Sequence, residues 1–358
     1  MNGRHIDQKY GIFLITGDNG TGKTRFLTKL SQRIKKDLSK QICLYDKLIC
    51  LSGTVYEKYP KPDKNPAYFS SNSYYYFGYK ANNNMFSEIT PFRAILNSMF
   101  SNAGLVEERS GYVAKLLKEI GFSSEIKLDF RWARNSRENE SFTPLILDFD
   151  KDTTRLYEHS VKELIFQEKA HLKTIFFIKN GNDIPISGLS SGERLFLITI
   201  LSLCFTVTNN SLTIFDEPEN SMHPKWQEKI TRVLCNIFQR YAPNSALYIA
   251  THSPLVLSSV PNELAHIFNR RTKAPSAENA KYNGNNVDTV LKQHFGLKSA
   301  RSLEFIEAMQ SCLTAMTHQH IDFKKKFETL KEMQISLDEN DPLYDAYNTI
   351  TAFAEETL

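Results

Sequence analysis

At 358 residues, 41% hydrophobic and 23% charged, the chain has material for one large or two ordinary domains with an ample core. A formal charge of +4 neither demands nor excludes a nucleic-acid partner, and five scattered cysteines without a CxxC pair argue against a disulfide framework or zinc site and for reduced thiols in a cytoplasm. The opening MNGRHIDQKYG lacks an apolar signal core, and the most apolar stretch, 193–207, is too short for a membrane span and is broken by Thr199, Ser202 and Thr206.

The segment KYGIFLIT (9–16) reads as a short buried strand. GDNGTGKT follows: Gly17, Asp18, Asn19, Gly20, Thr21, Gly22, Lys23 and Thr24 fit G-x-x-x-x-G-K-[ST] at every position. Phe26, Leu27, Leu30, Ile34 and Leu38 then recur on one helical face. Strand, glycine loop and helix stand in the order a phosphate cradle requires. The glycines let backbone N–H groups turn toward phosphate oxygens, and the helix adds its positive end. Lys23 is placed to reach the β- and γ-phosphates of ATP, and the Thr24 hydroxyl to ligate Mg²⁺.

A second strand is expected in 41–51, and 59–66, rich in proline, reads as a loop. The aromatic run at 74–77 reads as strand packing rather than a base-stacking platform. Thr90 and Pro91 open a helix, and 111–122 and 155–172 carry further amphipathic patterns, so 90–172 is expected to be a mostly helical insertion. DFDKDT (148–153) fails the calcium-loop pattern at its sixth and twelfth places, and Asp148 and Asp150 read as turn residues.

Strand character returns at 173–181, 211–215 and 246–250, alternating with helices as in an α/β sheet. The strand SLTIF ends on Asp216 and Glu217. Beside a phosphate loop, Asp216 is placed to complete the Mg²⁺ shell, and Glu217 to orient or deprotonate an attacking water. Ser190, Ser191 and Gly192 form a polar turn before an apolar helix, either an anion site or an ordinary serine cap. The last stretch, 285–358, is helical, with Ile306, Met309, Leu313 and Met316 spaced like a packed seam.

Together these motifs resemble the ABC-type ATPases, in particular the SMC-like and OLD-like heads and the stand-alone PtuA-like ATPases of bacterial anti-phage systems. LSSGE (189–193) resembles their signature, ENSMHP (219–224) their D-loop, and YIATHSP (248–254) their switch-histidine loop; NNVDTVLKQHFGL (285–297) looks like their closing segment. The resemblance implies a P-loop ATPase head in two parts, 1–89 and 173–300, around the helical insertion 90–172, with a helical extension over 301–358. It implies ATP and Mg²⁺ as cofactors and closure as a head-to-head dimer, with Ser190, Ser191, Gly192 and Glu193 capping the nucleotide of the other protomer. It places His252 at the γ-phosphate and points to a separate effector, such as a nuclease, with no membrane partner. The glutamine that usually leads into the insertion is missing; Asn82, Asn83 or Asn84 stands near its place, and Tyr10 is a weak candidate for stacking on adenine. A RecF- or SMC-like DNA-repair ATPase and a nucleotide-binding scaffold with little turnover are the alternatives, and nucleic acid stays an open partner. A transporter subunit fits less well.

Overall fold

The computed structural model describes residues 10–60, 73–80, 85–133, 142–151, 163–165, 167–270, 277–297, 301–318, 321–339 and 341–357. Asn82, Asn83 and Asn84, and most of the helix expected over 155–172, lie outside these residues. The chain divides into two compact units, Met1–Asn285 and Asn286–Leu358.

The larger unit is built on a seven-stranded sheet in the order β11-β10-β1-β9-β8-β2-β3. These strands are β1 (Gly11–Thr16), β2 (Lys47–Ser52), β3 (Tyr74–Phe77), β8 (Ser211–Asp216), β9 (Ala246–Ala250), β10 (Ala265–Asn269) and β11 (Ala277–Asn279). All neighbours pair in parallel except β10 and β11. Every residue of β8 and β9 is buried, which is why both read as continuous apolar runs without alternation. Helix α1 (Lys23–Ser39) crosses between β1 and β2, and its Leu27 and Ile34 join Phe13, Ile15, Ile214 and Tyr248 in one core cluster. A fully buried leucine or isoleucine of this kind contributes about 1.5–3 kcal/mol.

Helices α2 (Ile89–Ser101) and α3 (Ala103–Glu119) begin the insertion as expected. The rest departs from the mostly helical reading of 90–172. Strands β4 (Glu125–Trp132), β5 (Leu145–Asp148), β6 (Ala170–Lys179) and β7 (Asn182–Pro185) form a second, antiparallel sheet in the order β5-β4-β6-β7. In β4, Ile126, Leu128 and Phe130 are buried, whereas Lys127 and Asp129 reach across to Asp183 and Lys173 at 2.8 and 2.9 Å. That alternation is the signature of a sheet covered on one face. Asp148 ends β5 and its carboxylate accepts from the Ser124 hydroxyl and the Asp150 amide, a turn role.

A 3₁₀ turn at Ile186–Gly188 leads to α4 (Ser191–Cys204), nearly all of whose residues are buried. It is followed by β8, α5 (Pro224–Tyr241), β9 and α6 (Pro254–Ser259). No helix among the described residues is long and apolar enough to cross a membrane, and all five cysteines are free thiols.

The second unit consists of α7 (Val287–Gln293), α8 (Leu303–Thr317), α9 (Phe323–Glu332) and α10 (Tyr344–Thr357). Its core joins Phe305, Met309, Cys312, Phe323, Leu330 and Ile350, while Ile306, Leu313 and Met316 of the expected seam flank it half-buried. Of the segment 285–297, read as the closing piece of the head, all but Asn285 falls within this helical unit rather than the larger one.

Candidate functional site at the carboxyl edge of the large sheet

Parallel pairing of β1, β2, β8, β9 and β10 sets their carboxyl ends along one edge, where α/β sheets gather ligands. Gly17, Glu217, Thr251 and Gly53 each follow one of four neighbouring strand ends there.

In the glycine loop, Gly17, Gly20 and Gly22 have φ of 143°, 82° and 85°, a region that disfavours any side chain. A Cβ on Gly17 would also lie 2.8 Å from the Thr21 hydroxyl oxygen. Asp18, Asn19 and Gly20 are exposed at the tip. The loop is braced from within, as the Thr21 hydroxyl donates to the Asp18 carbonyl at 2.8 Å. Lys23 is buried, and its ammonium donates to the Gly17 and Asp18 carbonyls at 2.8 and 3.2 Å, which holds the cation against the loop. Gly22 caps α1 in the left-handed conformation, so the first amides of the helix open directly off the loop. Behind the loop, the Arg270 amide donates to the Thr16 carbonyl at 2.8 Å and its guanidinium lies over the Phe26 ring.

Asp216, the last residue of β8, is completely buried, and neither carboxylate oxygen has a hydrogen-bond partner. Burial pushes its pKa up to about 7, the charges of Glu217 and Glu219 push the same way, and the nearby Thr24 hydroxyl and Lys23 ammonium pull back. Two orphaned buried oxygens beside a hydroxyl and an ammonium fit a divalent cation. Magnesium is commonly held by one or two protein groups plus phosphate oxygens, so Thr24 and Asp216 would be enough as its protein ligands. Among the described residues no cluster of three or more His, Cys, Asp or Glu side chains forms a separate metal site.

Glu217 adopts φ of 54°, an uncommon left-handed conformation for a residue with a side chain. Its amide donates to the Ala250 carbonyl at 2.9 Å. Gly53, just past β2, clamps the same turn: its amide donates to the Asp216 carbonyl at 2.8 Å and its carbonyl accepts from the Asn220 side chain at 2.7 Å. A Cβ on Gly53 would fall 2.0 Å from the Glu217 carbonyl oxygen, so only glycine fits. The imidazole Nδ1 of His252 lies 3.7 Å from Glu217 and 3.7 Å from Glu219, with about half of its side chain exposed.

Glu219 was read only as part of the D-loop, yet it is the second buried acid of the site. One carboxylate oxygen accepts from the Thr251 hydroxyl at 2.7 Å and the His252 amide at 3.0 Å; the other has no partner. Burial pushes its pKa up against those hydrogen bonds, which pull it down. The histidine loop is thus tied to the acid-bearing turn through Glu219. It is tied to α5 as well, because the Ser253 hydroxyl donates to the Gln227 side chain at 2.7 Å.

Ser190 caps α4 in a capping box: its hydroxyl accepts from the Glu193 amide at 3.2 Å, and its own amide donates to the Glu193 carboxylate at 3.0 Å. Glu193 also pairs with Lys179 at 2.7 Å. Partial burial raises its pKa, but the Lys179 and Ser190 hydrogen bonds hold the carboxyl below the usual range. The serine-cap reading therefore describes Ser190, while Ser191 stays exposed on the first turn. Gly192 is buried, and its missing Cβ would stand 3.3 Å from the Ser221 carbonyl, so α4 packs its first turn on the D-loop of the same chain. His223 caps α5, accepting from the Lys225 amide at 3.4 Å. Tyr10 lies at the wrong end for adenine: it precedes β1, whereas the glycine loop follows it, about 20 Å further along. Its hydroxyl donates to Asn210 instead, at 3.1 Å, just before β8.

A glycine loop between strand and helix, with a buried acid at the end of a second parallel strand, is the arrangement of a P-loop nucleotide-binding head. The chain belongs to the family described as "AAA domain, putative AbiEii toxin, Type IV TA system", which it matches over residues 52–258. It is 27% identical over 201 residues to the "Retron Vc95 probable ATPase" of Vibrio cholerae serotype O1 biovar El Tor, a match covering 52% of this chain and 38% of that protein. It is 24% identical over 269 residues to "Protein ea59" of Escherichia phage lambda, covering 70% of this chain and 47% of that protein. The chain thus spans less than half the length of either relative. Among solved structures, Stu0660 of Streptococcus thermophilus superposes with a TM-score of 0.37 at 12% identity, covering 96% of this chain and 95% of that one. The cbiO1 protein from Clostridium perfringens, part of the ABC transporter complex cbiONQ, gives 0.31 at 13% identity, covering 73% and 74%.

Proposed function

We propose that this chain binds Mg-ATP at the carboxyl edge of the large sheet, hydrolyses it slowly and closes head to head with a second copy. The observation that carries the reading is Asp216, with two buried, unpartnered oxygens beside Lys23 and the Thr24 hydroxyl. The loop amides and Lys23 hold the phosphates, and Thr24 and Asp216 hold the metal. When bound, the metal would offset the negative charge that builds up on the phosphates. Glu217 accepts the proton of the water that attacks the γ-phosphorus, and His252, 3.7 Å from its carboxylate, orients that water or the phosphate.

Ser191 and the free amides at the start of α4 cap the γ-phosphate held by the partner. ATP-dependent closure is passed to a separate effector, such as a nuclease, in cytoplasmic anti-phage defence. That setting follows the resemblance of the motif set and accords with a relative named as a retron ATPase.

Mixing two inactive variants tests the shared site. Lys23→Ala removes the cation facing the phosphates, and Ser191→Arg fills the cap with bulk and charge. In a heterodimer one site combines both defects and the other combines an intact loop with an intact cap, so ATPase activity returns in part. No recovery in a mixed dimer shown to form overturns the shared site and leaves a self-contained one.

A further inference from the structure

Helices α3 and α5 lie side by side with a groove of about 870 Å³ between their outer faces. Lys115 of α3 and Lys225, Lys229, Arg232 and Arg240 of α5 line it, against only Glu119 and Glu228. The two carboxylates are matched locally, Glu119 with Lys115 at 4.0 Å and Glu228 with Arg232 at 3.3 Å. Lys225, Lys229 and Arg240 have no carboxylate partner among the described residues, and Lys229 donates to the Glu119 backbone carbonyl at 2.5 Å, which leaves its charge unpaired. Five cations against two carboxylates leave the groove a local surplus of three positive charges.

We propose that this groove docks the backbone of a single-stranded nucleic acid. Lys225, Lys229 and Arg232 follow one another at helical spacing on one face, and Arg240 extends the row. At 1.5 Å per residue it runs about 22 Å, long enough to follow several consecutive phosphates. Asn236 and Gln239 stand between the cations as hydrogen-bonding groups. Tyr112 also lines the groove, its ring packed edge-on against Tyr241 at 5.7 Å and 5.4 Å from the Arg240 guanidinium. An acidic helix seeking the same charge would also need a row of apolar anchor sites. The groove offers only Leu116 and Val233, both already buried.

The inference does not rest on the nucleotide reading, because binding is measured without ATP. A fluorescein-labelled oligothymidylate is titrated with the intact chain at several salt concentrations and followed by anisotropy. The triple variant Lys225→Gln, Lys229→Gln, Arg240→Gln is compared with wild type, and Lys229→Arg serves as the charge-conserving control. Removing three phosphate contacts lowers the slope of log affinity against log salt by about 2 and weakens low-salt binding by tenfold or more, while Lys229→Arg keeps both. No binding by the wild type, or equal binding and slope in the triple variant, overturns the proposal. So does competition by polyglutamate as effective as by unlabelled strand, which would make an acidic protein the occupant. A duplex that outcompetes the single strand overturns the single-strand assignment.

Discussion

Asp216→Asn provides a direct measure of what burial costs this site. The carboxyl is completely buried and its pKa stands near 7, against about 3.9 in an unfolded chain. Because the folded value is raised, the folded state holds a proton that the unfolded state has released. Stability from this group is therefore full below about pH 4, falls as pH rises, and reaches its floor above about pH 7. Between about pH 5 and pH 8 the linkage amounts to roughly 3 kcal/mol, an order-of-magnitude figure. Asparagine carries no charge at either pH. Urea denaturation without magnesium should thus show the variant gaining on wild type by that amount over the interval, even though on the proposed reading it has lost a metal ligand. Magnesium with ATP should reverse the ranking, stabilising wild type increasingly as pH rises and the variant hardly at all. A wild-type-minus-variant difference that is flat with pH refutes the desolvated acid, and equal protection of both proteins by Mg-ATP refutes its metal role.

Glu217→Gln keeps the size of the side chain and removes its basicity, so ATP binding should persist while turnover falls at least a hundredfold, with the dimer accumulating on size exclusion with light scattering. Gly53→Ala places a Cβ 2.0 Å from the Glu217 carbonyl oxygen, and the backbone must move; loss of 2 kcal/mol or more on denaturation, together with depressed turnover, is expected, whereas an unchanged ATPase rate would show that the clamp is not needed. Glu219→Gln leaves the shape of the Thr251 and His252 contacts but removes the buried charge, so kcat should fall more than ATP affinity, as read by steady-state kinetics beside a nucleotide titration.

Much of the fold was legible because its signals are local. Gly17 to Thr24 announces a strand-loop-helix unit, and the runs at β8 and β9 are apolar throughout because both faces are covered. The second sheet was missed for a different reason. Residues 111–122 carry a strong helical period, and the helical reading was extended past them into EIKLDFRW, where Ile126, Leu128 and Phe130 alternate with Lys127, Asp129 and Arg131. That period of two was present in the sequence. Its partners Ala170–Lys179 lie far along the chain, and no local signal says which strand completes the sheet. The adenine reading of Tyr10 failed on strand direction alone, since a residue before β1 cannot stand beside a loop after it.

At the site, the residues legible in sequence are those whose chemistry and backbone demand lie within one short motif. The residues missed act across the fold. Gly53 is a lone glycine after a strand, and it becomes a constraint only because β2 pairs with β8 and brings its backbone against Glu217. Glu219 looks like one more polar residue in DEPEN until β9 buries it against Thr251. These two positions do the holding that the motifs need. Gly53 fixes the left-handed turn that aims Glu217, and Glu219 fixes the loop that carries His252 to within 3.7 Å of it. Gly192 extends the same chain of contacts to the start of α4 through the Ser221 carbonyl. A load placed on Ser191 therefore meets backbone packed directly on the D-loop, and Glu219, at the head of that loop, is hydrogen-bonded to the His252 amide. The contacts that join the first turn of α4 to the His252 loop are thus one glycine packed on the Ser221 carbonyl and one buried carboxylate, neither of which stands out in the sequence.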